Sequence, residues 1–156
     1  MDSKKRIILG ALICLLVLAF SVARHPKDQE LTCSKLVSND NETIEENVKF
    51  TFSKSQLVRM LDISISSYND EITFNSSVEH ASDLKQTLDA HEGYNLDVIK
   101  NDKDLKLIFI RTCNDVEDVD FKTSLTSQKL LIKNDYCTSS INKIKKSMKD
   151  EGYSCR

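Results

Sequence analysis

The pattern of hydrophobic and polar positions divides the chain into one long apolar segment and a mixed remainder. Residues 7–23 (IILGALICLLVLAFSVA) carry no charged side chain, and a Lys-Lys-Arg cluster stands directly before them. At about 1.5 Å rise per residue, a helix of this length spans roughly 25 Å, near the thickness of a bilayer's hydrocarbon core. We therefore expect a single transmembrane anchor in the cell membrane, with residues 1–6 in the cytoplasm and the main domain outside it.

The same segment is also compatible with a cleaved signal peptide. Ser21 and Ala23 place small residues where a signal peptidase recognises its site, so cleavage after Ala23 would release a secreted soluble protein. Lipid attachment at Cys14 is not expected, because Ile13 rather than a small residue precedes it. Residues 24–30, which contain the only proline, form a polar linker.

Beyond the linker, apolar and polar positions alternate with the period of β-strands. Three predicted strands cover residues 31–37, 44–52 and 57–68, separated by clusters of turn-forming residues. In the second strand, one face is apolar and carries Ile44, Val48, Phe50 and Phe52. Short turns between consecutive strands favour an antiparallel meander.

Apolar residues at helical spacing predict two helices. In the first, Ser76 and Glu79 form a capping-box signature, and Gly93 stands where a left-handed C-cap is expected. Its apolar positions are Val78, Ala81, Leu84, Leu88 and His91. The second helix follows Thr138-Ser139-Ser140, which supplies good N-cap residues, and stops at Gly152.

Two more strands, at residues 94–99 and 105–112, are predicted between the helices, and the apolar sequence of the latter indicates a central position in the sheet. The pattern of residues 114–133 does not predict a definite secondary structure. Within it, residues 130–132 suit either a short strand or the end of a helix. The expected fold class is thus α+β: an N-terminal transmembrane helix, then one domain at residues 31–156. That domain contains an antiparallel sheet of five or six strands with two helices packed on one face.

Charge and composition narrow the possible partners. The chain has 22 basic and 24 acidic residues, well mixed along its length, for a formal net charge of −2. It lacks a basic patch with interleaved aromatic residues, so nucleic-acid binding has no electrostatic support. An envelope protein or envelope ligand remains the expected partner, besides the membrane contacted by residues 7–23.

Four of the five cysteines lie outside the apolar segment, and an even number in an exported chain indicates disulfides. Four cysteines allow three pairings. We favour Cys33–Cys155, which joins the first and last structured segments, together with Cys113–Cys137 across a shorter loop. Zinc is not expected, because no cysteine or histidine pair has ligand spacing.

No catalytic or cofactor motif is recognisable. His25 lies in the linker, while His80 and His91 lie near the two ends of the first predicted helix. Nucleophile elbows, phosphate-binding glycine loops and zinc-protease signatures are absent from the sequence. The acidic stretch from Asp115 to Asp120 is interpreted as a solvated loop rather than a calcium site, because the turn glycine is missing.

Two short motifs resemble a known group of proteins. Leu31-Thr32-Cys33 soon after an apolar segment, with Gly152-Tyr153-Ser154-Cys155 at the end, is similar to small exported proteins of low-GC Gram-positive bacteria, distantly like the YehR-type lipoproteins. The resemblance covers most of residues 31–156 in layout. It implies membrane attachment, a meander, a middle helix, further strands and a C-terminal helix, and also a bond between Cys33 and Cys155. It implies no established activity.

The sequence therefore predicts a non-catalytic binding or accessory module of the bacterial cell envelope, without cofactor or metal. Two alternatives remain open. One is a secreted soluble effector released by cleavage at Ala23. The other is an extracytoplasmic hydrolase or redox enzyme whose site is unrecognised, in which His80 or His91 would act.

Overall fold

Six antiparallel strands form the framework of the protein in a computed structural model that describes residues 28–113 and 134–156. The strands are β1 (Gln29–Ser38), β2 (Glu42–Ser53), β3 (Gln56–Tyr68), β4 (Tyr94–Asn101), β5 (Asp104–Thr112) and β6 (Ser154–Cys155). The helices are α1 (Glu71–Asp89), a 3-10 helix (Asn134–Thr138) and α2 (Ile141–Asp150).

The strand order in the sheet is β4-β5-β3-β2-β1-β6. The predicted meander β1-β2-β3 is present, and all neighbouring strands run antiparallel. Lys54 and Ser55 both have positive φ in the β2–β3 turn, as two-residue hairpin turns require. The apolar strand β5 lies inside the sheet, between β4 and β3, as its sequence predicts.

Among the described residues, the buried strand side chains lie on one face of the sheet. Cross-strand partners on this face are buried together, as Leu31 with Phe50 and Leu96 with Phe109 show. Both helices pack against it and contribute buried side chains to a common core, so the expected arrangement of two helices on one face is confirmed. The helical contribution comes from Phe74, Ala81, Leu84, Leu88, Ile144 and Met148.

The two helices contact different parts of the sheet. α1 packs on β4, β5 and β3, whereas α2 packs on β1 and β6 at the opposite edge. The 3-10 helix contacts β3 and places the ring of Tyr136 edge-on against Phe50, with 5.7 Å between the ring centroids. As a result, neither of the two described helices covers the part of the buried face beside the first turns of α1.

The beginning of α1 differs from its prediction. Asp70, not Ser76, is the N-cap residue: its Oδ1 accepts a hydrogen bond from the Thr73 backbone N–H at 2.8 Å, and its Oδ2 accepts one from the Thr73 hydroxyl. These bonds hold the pKa of the Asp70 carboxyl below its usual value. Ser76 and Glu79 therefore lie inside the helix. The capping-box pattern was misleading because Asp70 offers a competing cap one and a half turns earlier.

The prediction for α2 is confirmed. Ser140 is the N-cap and accepts a hydrogen bond from the Lys143 backbone N–H. Gly152 has φ +88° just past the helix, which is the left-handed conformation that glycine adopts without strain. This turn brings the Tyr153 backbone N–H to the Met148 carbonyl and directs the chain into β6.

The structure contains two disulfides. Cys33 and Cys155 are register partners on β1 and β6, with a Cα–Cα distance of 4.1 Å. Cys113 and Cys137 join the end of β5 to the 3-10 helix, with a Cα–Cα distance of 5.4 Å. Both favoured pairings are therefore present, and the first ties the two-residue strand β6 to the sheet edge.

The expected fold class is wrong in its N-terminal transmembrane helix. Across residues 28–113 and 134–156, no helix is both long and apolar enough to cross a bilayer. The longest one, α1, buries a single face, and exposed charged residues such as Glu79 and Asp83 occupy other parts of its surface. The segments 7–23 and 114–133, including the acidic stretch and residues 130–132, lie outside the described residues.

Candidate functional site

A groove of about 480 Å³ lies between the first turns of α1 and the neighbouring ends of β1, β2 and β3. Its floor is formed by strand residues of the buried sheet face, and its upper wall by the α1 residues Ile72, Thr73, Ser76, Ser77 and His80. Lys35 and Glu42 also line the groove. Volumes of this order suit a small molecule or a side chain of a larger partner.

The groove exists because the inward-facing residues of β3 change from apolar to small and polar along the strand. Near its start, Leu57 and Met60 are buried apolar residues, whereas Asp62, Ser64 and Ser66 take the inward positions further on. The short serine side chains leave space that a Leu or Ile would fill. The aliphatic residues of this half of β3, namely Leu61, Ile63 and Ile65, take the outward positions and are only partly buried.

Two serines with little exposed surface present their hydroxyls to the groove. Ser64 and Ser66 are 7% and 9% exposed. Among the described residues, neither side chain makes a hydrogen bond. Both residues line the groove, so their hydroxyls are open to hydrogen bonds with water or a ligand there.

Glu46 is the deepest charged group of the groove, with 5% of its surface exposed. It faces Ser64 across the β2–β3 ladder. The phenolic hydroxyl of Tyr153 donates a 2.5 Å hydrogen bond to Glu46 Oε2. Within the described parts of the chain, no lysine, arginine or histidine forms an ion pair with this carboxylate.

The C-terminal turn fixes both Tyr153 and Lys35 next to this carboxylate. Burial and the hydrogen bond to the Glu46 carboxylate raise the pKa of Tyr153 well above its ordinary value, so the phenol remains a donor. Lys35 Nζ donates to the Glu151 carbonyl at 2.6 Å and lies 5.1 Å from the centroid of the Tyr153 ring. The ammonium of Lys35 is therefore already engaged at the rim of the groove.

His80 and several serines line the same groove, which is the arrangement that a hydrolase would need. However, the described residues contain no hydrogen bond between His80 and a serine hydroxyl, so no nucleophile–base pair is assembled. His91 follows the other end of α1 and does not line the groove. The structure thus separates the two histidines that sequence reasoning considered together.

A second group of buried charges lies on the same sheet face. Asp62 and Arg111 are 1% and 2% exposed, and the Arg111 guanidinium carbon lies 5.4 Å from the centroid of the Tyr94 ring. Phe109, the register partner of Asp62, is two residues from Arg111 on β5, so both charges point to the core. Across residues 28–113 and 134–156, no three His, Cys, Asp or Glu side chains converge as metal ligands.

Sequence reasoning missed Glu46, Ser64 and Ser66. The signal was present in the alternation of β3, where one face carries Asp and Ser at successive positions and the other carries Leu and Ile. Which of these faces points inward depends on pairing with the remaining strands. It could not be read from the β3 sequence alone.

Comparison with known proteins gives a likeness of fold. No protein-family model and no curated protein sequence matches the chain. An NMR structure of a protein from Streptococcus pneumoniae is similar, with a TM-score of 0.53 and 9% sequence identity over 84% of this chain and 87% of that one. At this identity the match indicates a shared fold alone. The resemblance to YehR-type lipoproteins stays a prediction.

Proposed function

We propose that the protein is a non-catalytic binding module that works outside the cytoplasm and holds its ligand in the groove beside α1. The observation that carries this proposal is the combination of open volume with floor hydroxyls at Ser64 and Ser66 that make no hydrogen bond within the described residues. A domain that only needed a stable core would gain from aliphatic residues at these two positions.

The groove is also built on rigid elements. Its floor belongs to the central strands β2 and β3, and Tyr153, which holds Glu46, is fixed by the adjacent Cys33–Cys155 disulfide. Binding sites on such elements keep their geometry when empty, which lowers the entropic cost of capturing a ligand.

An extracytoplasmic location is supported by the two disulfides, since reducing conditions inside the cell disfavour such bonds. Labelling of intact cells with a membrane-impermeant amine reagent tests this part. We expect modification of exposed domain lysines such as Lys100 without cell lysis. Labelling that appears only after lysis would contradict it.

Binding itself is testable by amide chemical shifts in the isotope-labelled full-length chain, kept in solution with a non-ionic detergent. The protein is titrated with a panel of small amphipathic molecules that are cationic, anionic or neutral. At least one class should move the amide signals of Ser64, Ser66 and Thr73 together while leaving the outward-facing sheet unaffected. If no class does so, the groove is not a binding site.

A further inference from the structure

We propose that the groove takes an organic cation, that is, an alkylammonium or guanidinium group carried on an aliphatic chain. This inference rests on the proposed binding function and specifies the chemistry of its ligand. It follows from the charges, hydrogen-bonding groups and apolar surfaces that surround the empty volume.

The charges of the groove favour a cation over an anion. Glu42 and Glu46 both line it, and Glu46 is buried. The one lysine in the lining, Lys35, is the register partner of Glu46 and donates a hydrogen bond to the Glu151 carbonyl. The positive end of α1 does not compensate, because the Asp70 carboxylate already caps it. The lining thus carries two carboxylates against one lysine, which favours a cation over an anion.

Glu46 makes no ion pair among the described residues, although Lys35 is its register partner on β1. A buried carboxylate is costly unless it is paired and hydrogen-bonded, and Tyr153 supplies a single neutral hydrogen bond. The described lysines, arginines and histidines all lie beyond ion-pair distance of it. A bound ammonium or guanidinium would supply the missing charge at this position.

The neighbouring hydroxyls suit the same group. An ammonium has three N–H donors and no acceptor. Glu46 and Ser64 are register partners on adjacent strands, and Ser66 is the next inward residue along β3. These three side chains offer acceptor oxygens on one side of the groove, so a single cationic head could satisfy the carboxylate together with the two serines.

The remaining walls suit an aliphatic chain. Ile44 and Leu107 line the groove beside the serines, and Ile72 lies at its mouth with 84% of its surface exposed. An exposed isoleucine at the edge of a polar floor gives an extended methylene chain an apolar surface to cover. A lysine-like or arginine-like side chain has this combination of charged head and aliphatic stem.

The test uses n-hexylamine as probe, with n-hexanol and n-hexanoate as neutral and anionic comparisons. Dissociation constants are measured from groove amide shifts in the full-length chain. We expect n-hexylamine to bind most tightly and Glu46→Gln to weaken it at least ~10-fold, the usual scale for a hydrogen bond to a charged group. The matched control is Glu45→Gln, which removes the same charge from the exposed face of β2 and should leave affinity nearly unchanged.

A second pair of variants guards against misfolding of Glu46→Gln. Ser66→Val replaces a floor hydroxyl by an apolar group inside the groove, whereas Ser67→Val makes the same change at the exposed position next to it. Weaker n-hexylamine binding with Ser66→Val alone supports the proposal. Equal affinity in both variants overturns it.

The outcomes separate this inference from the proposed function. If n-hexanol or n-hexanoate binds in the groove more tightly than n-hexylamine, the inference is wrong while the binding function stands. If none of the probes moves groove signals, both fail. If n-hexylamine does bind most tightly, the affinities of a short peptide with one lysine and of its lysine-acetylated form are compared with that of n-hexylamine. They show whether the cation belongs to a peptide side chain or to a free amine.

Discussion

The Tyr153 hydroxyl donates a 2.5 Å hydrogen bond to the buried carboxylate of Glu46, and so joins the last turn of the chain to the middle of β2. The two residues are separated by 107 positions in sequence. The Cys33–Cys155 bond lies two residues beyond Tyr153 and holds β6 against β1. The geometry of the groove therefore depends on the C-terminal segment as much as on the sheet.

Removing this hydrogen bond should destabilise the protein. In Tyr153→Phe, the Glu46 carboxylate stays buried but loses its donor, and we expect the free energy of unfolding to fall by about 1.5–3 kcal/mol. Urea denaturation monitored by circular dichroism measures the change. Tyr68→Phe is the matched control, since the Tyr68 hydroxyl makes no hydrogen bond among the described residues. Equal losses in the two variants would contradict the assigned role of Tyr153.

The raised pKa of Tyr153 predicts a fall of stability in alkaline solution. In the unfolded chain this phenol ionises near its ordinary value of 10.0, whereas in the folded protein burial and Glu46 keep it protonated. The folded state therefore binds more protons above pH 10, and its stability decreases by about 1.4 kcal/mol per pH unit from this group. Comparison with Tyr153→Phe isolates the contribution. Parallel pH profiles for the two proteins would exclude it.

The Cys33–Cys155 disulfide should contribute substantially to stability. Since the bond closes a loop of 122 residues, replacing both cysteines by alanine should lower the free energy of unfolding by roughly 2–5 kcal/mol. It should also free Tyr153, so the groove amide signals should broaden or shift. The Cys113–Cys137 pair, whose sequence separation is 24, is the comparison. Unchanged groove signals after loss of Cys33–Cys155 would separate the disulfide from the site.

The N-cap of α1 is Asp70 rather than Ser76, and substitutions at the two positions should differ in their effect on stability. Asp70→Ala removes the acceptor for the Thr73 N–H and hydroxyl and should lower the urea midpoint, whereas Ser76→Ala should not. Because the folded pKa of Asp70 is lowered, its stabilising effect is present above pH 3.8 and is lost as the pH falls through the folded pKa. A larger effect from Ser76→Ala would restore the capping-box interpretation.

Strands β1 to β5, α2 and the favoured disulfide pairs could be predicted from the sequence, whereas β6 was not predicted. Alternation located β1 to β3, and Ser140 and Gly152 marked the two ends of α2. The start of α1 could not be found this way, because residues 71–75 include an exposed Ile72 and show no clear apolar face. The Asp70 cap and the burial of Phe74 in the core together make this turn part of the helix.

The candidate site was the least predictable part, because it depends on which face of β3 is buried. In the sequence, Leu61, Ile63 and Ile65 alternate with Asp62, Ser64 and Ser66, and alternation alone does not say which set is buried. The pairing of Glu46 with Ser64 and of Val48 with Asp62 turns the polar residues inward. Glu46 itself is an ordinary acidic residue in the sequence, and only its contact with Tyr153 marks it.

The location of the bound probe is the most direct test of the groove as a binding site. Nuclear Overhauser effects between the methylene protons of n-hexylamine and protein methyl groups can be measured in the full-length chain. The proposed binding mode predicts contacts to the methyls of Ile44 and Leu107 in the groove. Contacts instead to Leu61 and Ile63 on the outward face, or to no methyl group, would contradict it.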